Sequence, residues 1–321
     1  MIKWTLRLAV LFATAAMLSA IAGQNARAQM ADFPLMEGFR FDPGFPYAPH
    51  RGLLLPSNPA VSQIFMGVAF KGATLNGESK VGTGKRQVNG SAYGLAMGGS
   101  NFSLSLESNQ VNVHMPGNGS QNTLTQGHLT FDAMDYSFGI GGTARKEDGA
   151  LGTLESTQSA IGFTTILGPF YLGIAKMLED AQHDYSGTLE TGQRTGTMWG
   201  VGLRVVPFQH LIRIAFGQEI YEGYDNPLVD GSSLYTEYEV ETGIGLGFAL
   251  GYKVMRRQLR DIRGVANDNL DASGSTVTLG WGSPGFVVML QSHSSDGKVK
   301  ILGTSNKLDH NYSSAGLVVY F

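Results

Sequence analysis

From residue 61 onward the chain alternates. Ile64, Met66, Val68 and Phe70 form one face of a first segment, and Phe65, Gly67, Ala69 and Lys71 the other. Tyr93, Leu95 and Met97 run into a tight turn at 98–101, and Phe102, Leu104 and Leu106 follow, backed by Ser103, Ser105 and Glu107. Trp199, Val201, Leu203 and Val205 alternate with Gly200, Gly202 and Arg204, and Ile212, Ile214 and Phe216 with Arg213, Ala215 and Gly217. In the last segment Ala315, Leu317, Val319 and Phe321 share one face. A period of two predicts strands, here with one face apolar and the other small or polar each time.

Connections set the strand count. Tight turns are expected at 98–101, 167–169, 206–209 and 283–285, and long polar connections near 76–86, 115–122, 182–195, 222–232, 257–272 and 295–308. Short and long connections alternate around a membrane barrel. Strict alternation then needs two hidden turns. One falls at Met134-Asp135, where the apolar phase slips from Leu129, Phe131 and Ala133 to Tyr136, Phe138 and Ile140; the other falls near Thr242-Gly243. The count becomes fourteen strands, with twelve as the alternative.

The two ends give the alternation its sense. Lys3 and Arg7 precede an apolar run from Leu8 to Ala22, too short to span a bilayer, and Ala26 and Ala28 supply a small-residue cleavage pattern. Residues 1–28 therefore read as a signal peptide. Beyond them no apolar stretch is long enough for a membrane helix, so residence in a bilayer would require a closed barrel. The apolar strand ending in Phe321 fits a lipid-facing wall; Leu317, Val319 and Phe321 are expected to form the signal read by the barrel-assembly machinery. The fold class expected is all-β, a transmembrane antiparallel barrel over 61–321, in the outer membrane of a Gram-negative bacterium.

Residues 29–60 differ in kind. Six prolines exclude a regular helix or central strand, yet Phe33, Phe39, Phe41, Phe45, Tyr47 and the triplet Leu53-Leu54-Leu55 are too apolar for an ordinary tail. Such a segment needs a surface, either the barrel lumen, as a plug, or a partner in the periplasm.

Composition narrows the chemistry. Glycine supplies 44 of 321 residues and charged residues only 15%, as suits closely packed strands. Of the 23 Lys and Arg, three leave with residues 1–28, so 20 basic side chains face 26 acidic ones, a net charge of about −6, which offers nothing to nucleic acid. Cysteine is absent, excluding disulfides and thiol chemistry. His183-Asp184 is expected in a polar loop without a matching acidic pair, so no catalytic group is assigned. Gly82-Thr83-Gly84-Lys85 lacks the earlier glycine of a phosphate loop, because Ser79 stands there. Gly243 to Gly247 has no following helix to complete a dinucleotide fingerprint. Tyr224 to Ser233 has the composition of an ordinary acidic loop more than of a calcium site. No cofactor or metal is expected.

Two sets of charges remain. Arg256, Arg260 and Arg263 recur at helical spacing, which places them on one face of a helix; they either pair with lipopolysaccharide phosphates or are simply solvated. Lys71, Glu107, Asp132, Arg204, Arg213, Glu237, Glu239 and Glu241 fall on the polar faces and are expected in the lumen, as a conduit or a salt-bridged filling.

The junction LLLPSNPAVSQIFMGVAF (53–70), with Asn58-Pro59-Ala60 just before the first strand, resembles the start of the barrel in the FadL-like family of outer-membrane long-chain fatty acid and hydrocarbon transporters. The resemblance covers residues 29–75 and the last strand. It implies a fourteen-stranded barrel, an N-terminal segment folded into the lumen, and passive uptake of hydrophobic small molecules. Phe39, Phe41, Phe45, Tyr47, Leu53, Leu54 and Leu55 would then make the plug contacts with substrate. The expected partners are outer-membrane lipid, lipopolysaccharide and that substrate. A diffusion porin for hydrophilic solutes and a sealed structural or adhesion barrel are the alternatives.

Overall fold

The computed structural model describes residues 50–51, 58–60, 62–63 and 67–321, the last range without 83, 100, 116–117, 134, 150–151, 186–187, 206–211, 227–230, 246, 263–266, 284 and 302–303. A two-residue antiparallel pair, β1 (His50–Arg51) with β2 (Ser62–Gln63), comes first. Then follow β3 (Gly67–Val81), β4 (Gly84–Gly98), β5 (Phe102–Met115), β6 (Asn118–Ala133), β7 (Tyr136–Gly149), β8 (Gly152–Leu167) and β9 (Phe170–Tyr185). The ring is completed by β10 (Thr188–Val205), β11 (Ile212–Tyr221), β12 (Ser233–Gly245), β13 (Phe248–Arg260), β14 (Asn269–Ser283), β15 (Phe286–Ile301) and β16 (Thr304–Tyr320). Each of these fourteen pairs antiparallel with its chain neighbours, and β16 pairs with β3, which closes the barrel. Closure leaves no open sheet edge.

The barrel is inside-out relative to a soluble one. Large apolar side chains such as Phe70, Phe138, Ile161, Ile174, Val240 and Leu290 are exposed, whereas Arg86, Glu107, Glu179, Arg213 and Glu237 are buried. The two sets occupy opposite faces, because consecutive residues of a strand point to opposite sides. Aromatic rings join neighbouring strands on the outside: Phe216 lies between Trp199 and Tyr238, with centroids 5.1 and 4.8 Å away. This apolar belt is concentrated in the half of the barrel nearer the rim where Val68 and Phe321 meet, with Leu189 and Ile220 as exposed apolar residues beyond it. Most outward positions past the belt turn polar, with Thr74, Ser91, Ser108, Thr236 and Ser275 among the first. Strands of up to 18 residues exceed the roughly 9–11 that span a bilayer, so their far halves project past the belt.

Both barrel ends meet at the near rim. Phe321 N donates to Val68 O at 2.8 Å, Val68 N to Phe321 O at 3.0 Å, and the Phe321 ring stands edge-on to Phe70. The connections after β4, β6, β8 and β14 come where turns are expected and join strands at this rim, whereas the turn expected at 206–209 lies outside the described residues; Gly168 holds φ at 63°, open to glycine without strain. No turn forms at Thr242-Gly243, and the break between β12 and β13 comes later, before Phe248. β12 runs on to Gly245 through a register shift between Gly243 and Gly245.

The long connections are largely a misreading. Of the six expected, only 222–232 stands as drawn; 76–86, 115–122, 182–195 and 295–308 are mostly strand, and 257–272 shortens to 261–268. In these stretches the outward positions are mostly polar and the inward ones mostly small or polar, so no sustained apolar period marks the strand. Arg256 and Arg260 correct the helical reading for the same reason: both lie on β13, on its exposed outer face. Arg263, the signal peptide, the aromatics of 29–60 and Ile64 to Met66 lie outside the described residues.

Candidate functional site

Inward positions divide the lumen into two chemically different walls. On β9 to β13 the charges face one another in pairs. Arg213 pairs with Glu241, Lys253 Nζ lies 3.6 Å from Glu237, and Arg257 Nη1 lies 4.0 Å from Glu219. Arg194 of β10 holds Glu179 of β9 through Nε at 2.7 Å and Nη2 at 2.6 Å. Its guanidinium is stacked between Tyr221 and Tyr224, with Cζ 4.4 Å from each ring centroid. Tyr235 donates to Glu237 Oε2 at 2.7 Å. Buried charges persist only when paired in this way.

The opposite wall is largely apolar, with Lys71–Glu107 and Arg145–Glu147 as its ion pairs. Leu75, Val88, Val111, Val113, Leu124 and Met289 belong to one continuous buried cluster drawn from β3–β6, β13, β15 and β16. A polar row crosses above it, where Ser79 Oγ lies 2.8 Å from both His310 Nδ1 and Arg86 Nη2. Beyond that row a second cluster occupies the far mouth, with Leu154, Leu259, Leu270, Val299 and Leu308 joined by Tyr224 and Ile262. β8 and β16 lie on opposite sides of the ring, so this cluster reaches across the opening. Tyr224 and Ile262 come from the two long connections, which are pinned by Gln193 N to Asp225 Oδ1 at 2.7 Å and Ile262 N to Asp268 O at 3.1 Å.

Lower in the lumen, Asn58-Pro59-Ala60 lies in a trough of the wall. Thr130, Gly139 and Gly162 sit side by side on β6, β7 and β8. A Cβ at Gly139 would stand 1.8 Å from Pro59 O, and one at Gly162 2.1 Å from Asn58 Oδ1, so only glycine admits this approach. Thr130 Oγ1 donates to Pro59 O at 2.8 Å and Thr164 Oγ1 to Ala60 O at 3.2 Å. Within the tripeptide, Ala60 N donates to Asn58 Oδ1 at 2.9 Å. All three residues are buried.

The eight charges expected in the lumen all fall on inward faces. Lys71 pairs with Glu107, Arg213 with Glu241, and Asp132 accepts from Ser137 Oγ at 2.5 Å. Arg204 reaches Tyr171 Oη at 3.5 Å, while Glu237 and Glu239 belong to the charged wall. Arg256 is matched by Asp271 through two bonds of 3.0 and 2.8 Å, and Arg260 is exposed on the same face. Leu317 and Phe321 point outward with Val319. Phe39, Phe41, Phe45, Tyr47 and Leu53 to Leu55 lie outside the described residues.

Sequence reasoning missed Glu179, Arg194, Glu219, Lys253 and Arg257. The signal was present: Gly192, Arg194, Gly196 and Met198 continue the inward run of Gly200, Gly202 and Arg204. His183, expected in a loop, is a buried inward residue of β9. Among the described residues no His, Asp and Glu cluster is arranged to hold a metal ion.

No family model matches the sequence, and no curated protein does. Solved structures do match in fold. The CymD monoaromatic hydrocarbon channel aligns with a TM-score of 0.54 at 11% identity, covering 83% of this chain and 91% of its own. The toluene transporter TodX of P. putida aligns with a TM-score of 0.53 at 9% identity, covering 83% and 93%. The chain therefore shares its closed-barrel fold with a hydrocarbon channel and a toluene transporter.

Proposed function

We propose that the protein is an outer-membrane channel that passively conducts small hydrophobic molecules. The observation that carries this reading is the apolar inner wall, capped by an apolar cluster at the far mouth. A lumen meant only for water and ions gains nothing from buried Leu, Val and Met side chains, whereas an apolar guest gains about 25 cal/mol for each Å² it removes from water there. The fold shared with a hydrocarbon channel and a toluene transporter supports the same reading.

In this mechanism a guest first lodges among Tyr224, Ile262 and their neighbours. It then follows the β3–β6 wall inward and leaves when residues 29–60, acting as a plug, shift. Phe39, Phe41, Phe45, Tyr47 and Leu53 to Leu55 form the plug face in contact with the guest, and Asn58-Pro59-Ala60 anchors the plug. Residues 1–28 direct export. Leu317, Val319 and Phe321 engage the assembly machinery, and Arg256, Arg260 and Arg263 meet lipopolysaccharide phosphates.

Two measurements test the proposal. Cells producing the protein take up radiolabelled toluene or octane faster than cells carrying an empty vector. In planar bilayers the mature chain is nearly silent, and deletion of residues 31–59 opens a large steady pore. Equal uptake with and without the protein overturns hydrophobic transport. Equal conductance of the two chains removes the plug and favours a porin.

A further inference from the structure

Two amide side chains of the apolar wall have no polar partner at either end. Asn109 on β5 and Asn122 on β6 face inward and are each 1% exposed, and neither the amide nitrogen nor the oxygen of either has a hydrogen-bond partner. Gln126, one turn of the ladder below on the same face, leaves its Oε1 unpaired too. An unpaired buried amide costs free energy in every copy of the fold, and a hydrophobic residue of similar volume would avoid that cost. Four unpaired atoms on two diagonal neighbours call for a guest that supplies the missing partners.

The ladder fixes their spacing. Asn109 pairs with Leu124 and Val111 with Asn122, so the two asparagines are diagonal across β5 and β6. Diagonal neighbours on one face stand about 7–8 Å apart, within reach of one small polar group between their amides. The surroundings select the rest of the guest. Ala92 stands opposite Asn109 on β4, and Val88, Val111, Val113 and Leu124 add apolar surface, while on the β7 side the Arg145–Glu147 pair lies opposite Leu124 and Asn122. The nearby acids are already engaged, Glu107 by Lys71 and Glu147 by Arg145, so no net charge waits for a counter-ion. Asparagine both donates and accepts, and its natural complement is a hydroxyl, which does the same.

We propose that Asn109 and Asn122 form a head-group subsite for a neutral, hydroxyl-bearing apolar molecule, so that the channel favours alcohols over bare hydrocarbons. This rests on the reading of the lumen as a hydrophobic conduit.

The test is equilibrium binding of radiolabelled 1-dodecanol and dodecane to the full mature chain in nanodiscs, with empty nanodiscs of the same lipid subtracted. The wild type is expected to bind dodecanol about ten-fold more tightly than dodecane, the equivalent of ~1.4 kcal/mol. The N109L/N122L variant loses that preference and keeps its dodecane affinity within about two-fold. Heat-modified migration on gels checks that the variant remains a folded barrel. If the double variant does not assemble, N109L alone is measured and must lose part of the preference. Equal affinity for both probes in the wild type, or a preference that survives the substitutions, overturns the subsite and leaves the conduit standing. Binding of neither probe overturns both.

Discussion

Substituting Gly139 by alanine separates the barrel from the segment it holds. The added methyl carbon would stand 1.8 Å from Pro59 O, 2.1 Å from Pro59 C and 2.4 Å from Ala60 N. All three are backbone atoms, so no side-chain rotation relieves the clash. Ordinary carbon–oxygen contacts begin near 3.3 Å, and the tripeptide has to retreat by roughly 1.5 Å. That movement breaks the 2.8 Å bond from Thr130 to Pro59 O and the 3.2 Å bond from Thr164 to Ala60 O. At a net ~0.5–1.5 kcal/mol each, the loss is about 1–3 kcal/mol, a five- to 150-fold shift toward the released segment. The barrel itself moves the other way, because alanine in a strand interior is worth about 0.5–1 kcal/mol over glycine.

The chain has no cysteine, so a single A60C reports on the site alone. Ala60 is fully buried, and maleimide labelling of A60C in liposomes is expected to be slow. In A60C/G139A it accelerates by the factor above, while the barrel unfolds at the same or higher urea concentration. A control, G72A, places its methyl where nothing lies within 4 Å and leaves labelling unchanged. Equally slow labelling in A60C/G139A would refute the claim that the glycine trough seats the tripeptide.

Three further outcomes follow from the same geometry. E179Q leaves Arg194 buried without its counter-charge and costs about 3–5 kcal/mol in urea unfolding, most of which the double variant E179Q/R194M restores. Y224A/I262A removes the side chains that carry the apolar cluster across the far mouth; hydrophobic uptake then loses its saturation at low concentration, and unchanged saturation counts against a capture site there. Deleting Phe321 abolishes two backbone bonds to Val68 and the ring contact to Phe70, so less heat-modifiable barrel accumulates in cells, whereas L317A keeps the bonds and assembles better.

The barrel was legible wherever the two faces of a strand meet different solvents. Lipid on one side and lumen on the other impose apolar and polar residues in strict alternation, so Trp199 to Val205 and Ile212 to Gly217 read as strands without ambiguity. Above the belt on β9 and β10 the outward positions are mostly polar and the inward ones carry paired charges. Thr188 to Thr197 then lacks any hydrophobic period, although its hydrogen bonds to β9 are as regular as those below. The charges placed correctly, such as Lys71, Glu107 and Arg213, lie beside the belt; those missed, such as Arg194 and Arg257, lie beyond it. The pairing of charges was less legible still. It depends on which strands neighbour one another at which register, and one residue of slip between β12 and β13 would have reversed the face of Lys253 and Arg257.

The two walls also bear on the rival readings. A porin selects hydrated solutes with charges that water and ions can reach. Here the charges of β9 to β13 are buried and matched between neighbouring strands, Arg213 with Glu241 and Arg194 with Glu179. Charges so matched stiffen the wall they belong to and present little field to a passing ion. A sealed structural barrel would be served as well by apolar residues all round, and pairing costs desolvation that such a barrel need not bear. One wall built mainly on paired charges facing one that is largely apolar, with its own charges paired as Lys71–Glu107 and Arg145–Glu147, gives the lumen a fixed frame on one side and apolar surface on the other. On the proposed reading the apolar residues of β3 to β6 would set what the channel accepts, and the ion pairs opposite would hold the frame when the guest leaves.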